Sequence, residues 1–280
     1  MKIIHGSGFA ALRCGKQNLL ASLGLALLAV TTSPAGAADS TAAAKPDADQ
    51  ILRQASATLA AAQQFSFKAH RQMDAALLVG RDAPEDAEVL VTVQRPNKVY
   101  ADGKSQEGER KVYADGNNFS LVDAKMNLYS TVPMPTSLDG LVEKIDTRYG
   151  FTPPLAEFVL SDPYQEFHRQ ARTVTYLGPG SYKEGSPNAA SVDCHRLLLS
   201  GHGVDAELWV GVSDHLIRQL TATFTERPGN PQIQIEFADW DLAAKVTEGE
   251  FTYVPPAEAM KIPMRTTAEM AAAPAKTEAK

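Results

Sequence analysis

Leu216-Ile217-Arg218-Gln219-Leu220-Thr221-Ala222-Thr223-Phe224, a turn at Arg227-Pro228-Gly229-Asn230-Pro231, and Gln232-Ile233-Gln234-Ile235-Glu236-Phe237 decide the fold. Leu220, Ala222 and Phe224 alternate with Gln219, Thr221 and Thr223, and Ile233, Ile235 and Phe237 alternate with Gln232, Gln234 and Glu236. That is the period-2 pattern of strands with one apolar face, and the Pro-Gly-Asn turn makes them a hairpin. Upstream, Asp193 to Leu199 and Ala206 to Val210 read as two more strands about the Gly201-His202-Gly203 turn, and Phe251-Thr252-Tyr253-Val254-Pro255-Pro256 reads as a closing strand. The region from Ser191 to Pro256 is therefore a wall of sheet, and the question is what its apolar side covers.

The same pattern recurs towards the N-terminus. Phe65, Phe67 and Ala69 alternate with polar residues, and Val89, Val91 and Val93 share a face with Arg95. The hexapeptide Lys-Val-Tyr-Ala-Asp-Gly occurs twice, at 98–103 and 111–116, each copy a short strand ending in an Asp-Gly turn. Phe119 to Asp123, Asn127 to Val132 and Thr173 to Leu177 add strands, and 178–188 is a Gly/Pro/Ser loop. A helix follows Pro46-Asp47, with Ile51, Leu52, Ala55 and Leu59 at helical spacing. A helical insertion spans Ser137 to Arg169, starting at a Ser137 or Asp139 cap and restarting at Pro153-Pro154 and Asp162-Pro163. About ten or eleven strands without βαβ alternation give an α+β domain over 46–264, a strongly curved antiparallel sheet covered by a leading helix and a mid-chain insertion. The cover either fills the space above the apolar face or leaves room for an apolar ligand.

Residues 1–38 are expected to be a secretory signal. Lys2, Arg13 and Lys16 precede a 12-residue apolar run, Leu19 to Val30, and Ser33 to Ala38 supplies small residues for cleavage near Ala37 or Ala38. Twelve apolar residues are too few to span a bilayer, which needs about 20. Residues 39–45 read as a flexible linker and 265–280, rich in Ala, Lys, Glu and Thr, as a disordered tail. Loss of residues 1–37 takes Lys+Arg from 27 to 24 against 33 Asp+Glu, moving the net charge from −6 to −9. Such an acidic protein is unsuited to nucleic acid. Cys14 leaves with the signal, so Cys194 has no partner for a disulfide and reads as a small buried hydrophobe.

No catalytic chemistry is assembled. Cys194 and His195 are strand neighbours and point to opposite faces. His195, His202 and His215 follow spacings that match no standard zinc pattern. Neither a metal nor another cofactor is expected. The candidate binding residues are Phe67, Val91, Val93, Trp209, Leu220, Phe224, Ile233, Ile235 and Phe237 as an apolar lining, with Arg95 as a latch. Arg95 is in phase with three valines, so its head must reach either solvent or a partner in the cover.

Val93-Gln94-Arg95-Pro96-Asn97-Lys98-Val99, preceded by a helix and a Phe65-x-Phe67 strand and followed at the end by Phe251-Thr252-Tyr253-Val254-Pro255-Pro256, resembles the periplasmic lipoprotein carriers of the LolA/LolB/LppX type. Cys194-His195-x-Leu197, Leu208-Trp209-Val210 and Asp239-Trp240 are similar to a family of uncharacterised predicted periplasmic proteins with that fold. The resemblance covers about residues 46–264. It implies an unclosed β-barrel with a helical lid over a cavity for acyl chains, and an Arg95 that hydrogen-bonds lid backbone. It departs from the carriers in the Val-rich second strand and in Val99, where they carry an aromatic. The expectation is a non-catalytic periplasmic carrier of a lipid or an acylated protein. The alternative is an envelope scaffold, with a protein partner and a fully packed core.

Overall fold

The computed structural model describes residues 45–78, 80, 82–183, 190–247 and 249–272. The expected signal, all of the linker but Lys45, and residues 273–280 lie outside the described residues.

Alternation becomes one twelve-stranded sheet. Its strands are β1 (Gln64–Met73), β2 (Glu85–Gln94), β3 (Lys98–Ser105), β4 (Gly108–Asp115), β5 (Asn118–Asp123), β6 (Leu128–Pro133), β7 (Thr173–Lys183), β8 (Ser191–Gly201), β9 (Val204–Gly211), β10 (Ile217–Phe224), β11 (Gln232–Asp241) and β12 (Met260–Lys261). The order is β12-β6-β5-β4-β3-β2-β1-β11-β10-β9-β8-β7, so the sheet is open and its edges are β12 and β7. Two meanders, β1 to β6 and β7 to β11, are stitched together where β1 lies antiparallel to β11, with Ala69 opposite Phe237. Only β12 is parallel to its neighbour, β6.

The two hexapeptide copies pair with each other. Tyr100 stands opposite Tyr113, Lys98 opposite Asp115 and Asp102 opposite Lys111. Antiparallel pairing of two identical Lys-Val-Tyr-Ala-Asp strands centred on tyrosine sets a lysine against an aspartate at each end, which favours this register over its neighbours. The expected Asp-Gly turn forms only at the second copy. Asp102 and Gly103 lie inside β3, because Gly103 pairs with Arg110 and the strand runs on to Ser105.

Helix α1 (Ala48–Ala61) is capped by Asp47, whose carboxylate accepts from the Asp49 and Gln50 N–H groups, and buries Ile51, Leu52, Ala55 and Leu59. Helix α2 (Leu138–Tyr149) takes Ser137 as its cap and ends at Gly150 in a left-handed conformation. Asp139 is free for another task, accepting from the Ser161 N–H at 2.9 Å. The Pro153-Pro154 restart yields a single 3₁₀ turn, Ala156–Phe158, entered through Leu155 at φ +66°. Helix α3 (Pro163–Gln170) follows the Asp162 cap and Pro163 as expected. These helices and the covered face of the sheet share one core, in which Phe65, Phe67, Phe119, Phe158 and Phe237 are inaccessible.

Two expectations are corrected near the C-terminus. Phe251–Pro256 is not a strand, since Pro255 and Pro256 offer no N–H to a ladder. It is an extended strap across the outer face, with Phe251 buried and the Tyr253 ring 5.4 Å from Tyr113 and 5.2 Å from Tyr129. The strap then rounds the sheet edge as β12, where Met260 N–H donates to Asn127 and Ile262 N–H to Tyr129. Thr267–Ala272, expected in a disordered tail, is a helix, α4. Thr266 and Glu269 form a capping box that starts it: Thr266 N–H donates to Glu269 Oε2 at 2.7 Å and Glu269 N–H to Thr266 Oγ1 at 3.2 Å. The expected loop at 178–188 is also shortened, because β7 continues past a bulge at Leu177 to Lys183 and residues 184–189 are outside the described set.

Candidate functional site: the covered face and its latch

The apolar face of β1, β2, β10 and β11 brings most of the expected lining together. Phe67, Val91, Val93, Leu220, Ile233, Ile235 and Phe237 are all buried on it, and Phe224 packs at its margin. Trp209 does not join them. Leu208 and Val210 face the core, so their strand neighbour Trp209 points to the outer face, where its ring lies against Gly180 and 5.0 Å from the Arg196 guanidinium. In its place the covered face has Trp240, which strict alternation excludes. Asp239, at φ +51°, is the extra residue of a bulge between β11 and β1 and turns Trp240 to the side of Phe237. The Trp240 indole lies 4.5 Å from the Phe67 ring and donates to the Ile217 carbonyl at 2.9 Å. An aspartate, a residue tolerant of the left-handed region, directly ahead of a tryptophan was the available signal.

The cover presses on this face through Phe158. Its ring is 4.7 Å from Phe237, 6.0 Å from Phe167 on α3 and 6.4 Å from Phe67. Leu155 holds a strained left-handed backbone to aim that turn at the sheet. A small, partly open space of about 20 Å³ is bordered by Glu157, Phe167, Gln170, Leu199, Val204 and Leu220 among others. That is room for about one water molecule. Around that space the covered face is packed with buried side chains.

Two polar clusters tie the cover, one to the sheet and one between its own helices. At the end of β2, the Arg95 guanidinium points under the cover and donates to four backbone carbonyls: Nη1 to Val159 at 2.9 Å, Nη2 to Leu160 at 2.9 Å and to Leu59 at 3.5 Å, and Nε to Ala62 at 3.2 Å. Leu59 and Ala62 lie at the C-terminal end of α1, which has no basic residue in its last turn. Arg95 therefore supplies from the sheet the cation that the helix terminus lacks. Burial pulls its pKa down, and the charge of Asp139 partly offsets this. The Arg95-Pro96 peptide is cis, and the Pro96 carbonyl accepts from Leu138 N–H, tying α2 to the same turn. The second clasp joins α1 to α3. Asp49 accepts from the Tyr164 hydroxyl at 2.8 Å and from His168 Nε2 at 2.6 Å, and pairs with Arg53 at 3.0 Å. Burial raises the Asp49 carboxyl, but these hydrogen bonds outweigh it and leave the pKa below the ordinary value. Sequence reading missed this clasp because Asp49 and His168 are 119 positions apart.

Cys194 is inaccessible on the outer side of β8, with its thiol pushed up by burial, while His195 faces the other way and meets the Tyr176 ring. Among the described residues no group of three or more His, Cys, Asp or Glu is placed to hold a metal. None of the described helices is long and apolar enough to cross a membrane.

A family model described as predicted periplasmic protein (DUF2092) matches residues 48–265. No curated protein matches the sequence. Solved structures with a similar arrangement include MucB of Pseudomonas aeruginosa in its complex with MucA, at 12% identity and a TM-score of 0.41 over 75% of this chain and 62% of that one. A LolA superfamily protein of Nitrosomonas europaea has 12% identity and a TM-score of 0.35 over 75% of this chain and 99% of that one. A putative outer membrane lipoprotein-sorting protein domain of Vibrio parahaemolyticus has 7% identity and a TM-score of 0.33 over 73% and 96%. The chain thus spans about three fifths of the MucB chain it matches.

Proposed function

Because the chain belongs to the DUF2092 family of predicted periplasmic proteins, we propose that it is a non-catalytic periplasmic binding protein that takes up an apolar ligand, a lipid or an acyl chain, between its sheet and its helical cover. The observation that carries this reading is the Arg95 latch. The cover rests on an apolar face, yet one side chain at that end donates to four of its main-chain carbonyls. Carbonyls that lose such a donor can be satisfied by water once the cover lifts, so opening exchanges those hydrogen bonds instead of orphaning them. Lifting the cover bares Phe67, Phe237 and Ile235, and each CH₂ of a chain laid on such a face gains roughly 0.8 kcal/mol. The export signal expected over residues 1–38 belongs to the same reading.

Native mass spectrometry of protein purified without detergent, together with titration of a fluorescent aliphatic probe, tests it. A bound apolar species, or saturable probe binding displaced by long-chain lipids, is the expected result. Absence of both would overturn the carrier reading. One observation favours a second reading, an envelope scaffold that binds a protein partner: the covered face is packed with buried side chains, and the space beside Glu157 and Gln170 has room for about one water. That reading expects neither a lipid nor probe binding, and a stoichiometric envelope partner instead.

A further inference from the structure

The small space beneath the cover is not uniformly apolar. Its floor is Leu199, Val204, Ala206 and Leu220 of β8, β9 and β10, but two side chains that border it carry oxygen, Glu157 on the 3₁₀ turn and Gln170 at the end of α3. The Gln170 amide is oriented by chemistry. Its Nε2 donates at 2.6 Å to Glu166, a carboxylate that also pairs with Arg169, so the nitrogen must face Glu166. Gln170 Oε1 is then left buried without a hydrogen-bond partner. Glu157 has no partner side chain among the described residues. Burial pushes its pKa up to about 7, only its own backbone N–H acts the other way, and no cation contributes. The space is therefore bordered by one buried acceptor without a donor, Gln170 Oε1, and by the part-buried Glu157, which no cation neutralises.

We infer that this space is a head-group subsite, and that the ligand it serves is an amphiphile whose polar end donates hydrogen bonds and carries positive charge, a primary ammonium on an aliphatic chain. An ammonium brings three donors in a volume close to that of water, which fits about 20 Å³. A carboxylate or phosphate head brings only acceptors and would meet the Glu157 charge at close range. With the cover lifted at its Arg95 end, the aliphatic part lies over Leu208, Ala222 and Ile235, on the face that the cover otherwise protects. This inference rests on the carrier reading above and adds the chemistry of the ligand's end.

The test is displacement of a neutral fluorescent aliphatic probe at pH 8 by dodecylammonium, dodecanol and dodecanoate, each below its micellar concentration. The wild-type protein should prefer dodecylammonium over dodecanoate by roughly tenfold or more, as a charge-assisted hydrogen bond requires. Glu157→Gln keeps the shape and removes the charge, and should bring the preference to within about threefold with dodecanol unaffected. Gln170→Leu should lower it in the same direction by a smaller factor. Both variants keep an otherwise acidic surface, so an ammonium preference that persists in both is nonspecific attraction and overturns the subsite. Equal displacement by dodecanoate in the wild type also overturns it, while leaving the carrier reading standing. Failure of all three chains to displace the probe removes the carrier reading and the subsite together.

Discussion

Tyr100 and Tyr113 hold the same position in two identical hexapeptides and stand directly opposite each other across β3 and β4, ring centroids 5.0 Å apart. The rings continue through Tyr253 of the strap to Tyr129, so four tyrosines line the outer face. Burial raises the Tyr100 hydroxyl pKa to about 12, with the Asp102 charge adding to it. A double-mutant cycle of Tyr100→Ala and Tyr113→Ala, read by urea unfolding, should return a coupling of about 0.5–1.5 kcal/mol. Tyr253→Ala should cost less than either, because it leaves the β3–β4 ladder intact. Additivity of the two single changes would show that the ring pair contributes nothing beyond area.

The latch makes a separate prediction. Arg95→Met keeps the length of the stem and removes the guanidinium donors from the Leu59, Ala62, Val159 and Leu160 carbonyls. Stability should fall by about 2 kcal/mol or more, and the loss should be local. Amide hydrogen exchange in the last turn of α1 and in 156–160 should speed up well beyond that in β8 to β10. Uniform acceleration would mean that Arg95 supports the whole fold and does not act as a latch.

Gly116, in the turn between β4 and β5, packs against the turn that presents Arg95. It has φ +92°, and a Cβ placed on it would lie 2.5 Å from Asn97 Nδ2 in the Arg95-Pro96-Asn97 turn. Gly116→Ala combines a strained backbone with that clash and should cost roughly 1–3 kcal/mol. Adding Asn97→Ala should recover the steric part and leave the backbone part. Thermal melts of the two variants separate the contributions.

Glu157 gives the fold a pH dependence. Its pKa is about 7 in the folded protein against 4.5 for an ordinary glutamate, so between those values the folded state binds more protons than the unfolded chain. Its contribution to stability therefore falls as pH rises from about 4.5 to about 7 and is flat above that. Wild type and Glu157→Gln should diverge in melting temperature across this window, the variant declining less, by a few degrees at this chain length. Parallel curves would place the Glu157 carboxyl in water.

Phe158 is the cover's main apolar contact, inaccessible and packed against three aromatic rings. Phe158→Ala should destabilise by about 3–5 kcal/mol if the space it leaves stays empty, and by less if an aliphatic probe enters it. Melts with and without dodecanol distinguish the two.

The sheet was legible because alternation is a local property. Ile233, Ile235 and Phe237 declare their face in six residues, and the same rule sends Val91 and Val93 inward beside Arg95. The rule failed where one residue breaks the count, at the Asp239 bulge that turns Trp240 inward, and where it was not applied, at Trp209 between Leu208 and Val210. Strand ends were harder. The Asp-Gly of the first hexapeptide looks like a turn, and only its pairing with Arg110 keeps it in β3. Of the site, Arg95 could be singled out by phase, but its four acceptors belong to two distant segments. The Asp49–Tyr164–His168 clasp and the meeting of Glu157 with Gln170 are tertiary facts with no periodic trace.

The strap has a consequence for assembly. By laying β12 along β6 and bonding Ser130 Oγ to the Ile262 carbonyl at 2.6 Å, the chain occupies one rim of its own sheet. The other rim, β7, is interrupted by Pro179 and by the bulge at Leu177. A propagating stack of sheets needs two adhesive rims per molecule, one to receive and one to offer. With one rim reduced to the two residues of β12 and the other interrupted, neither offers the long, flat edge from which edge-to-edge growth starts.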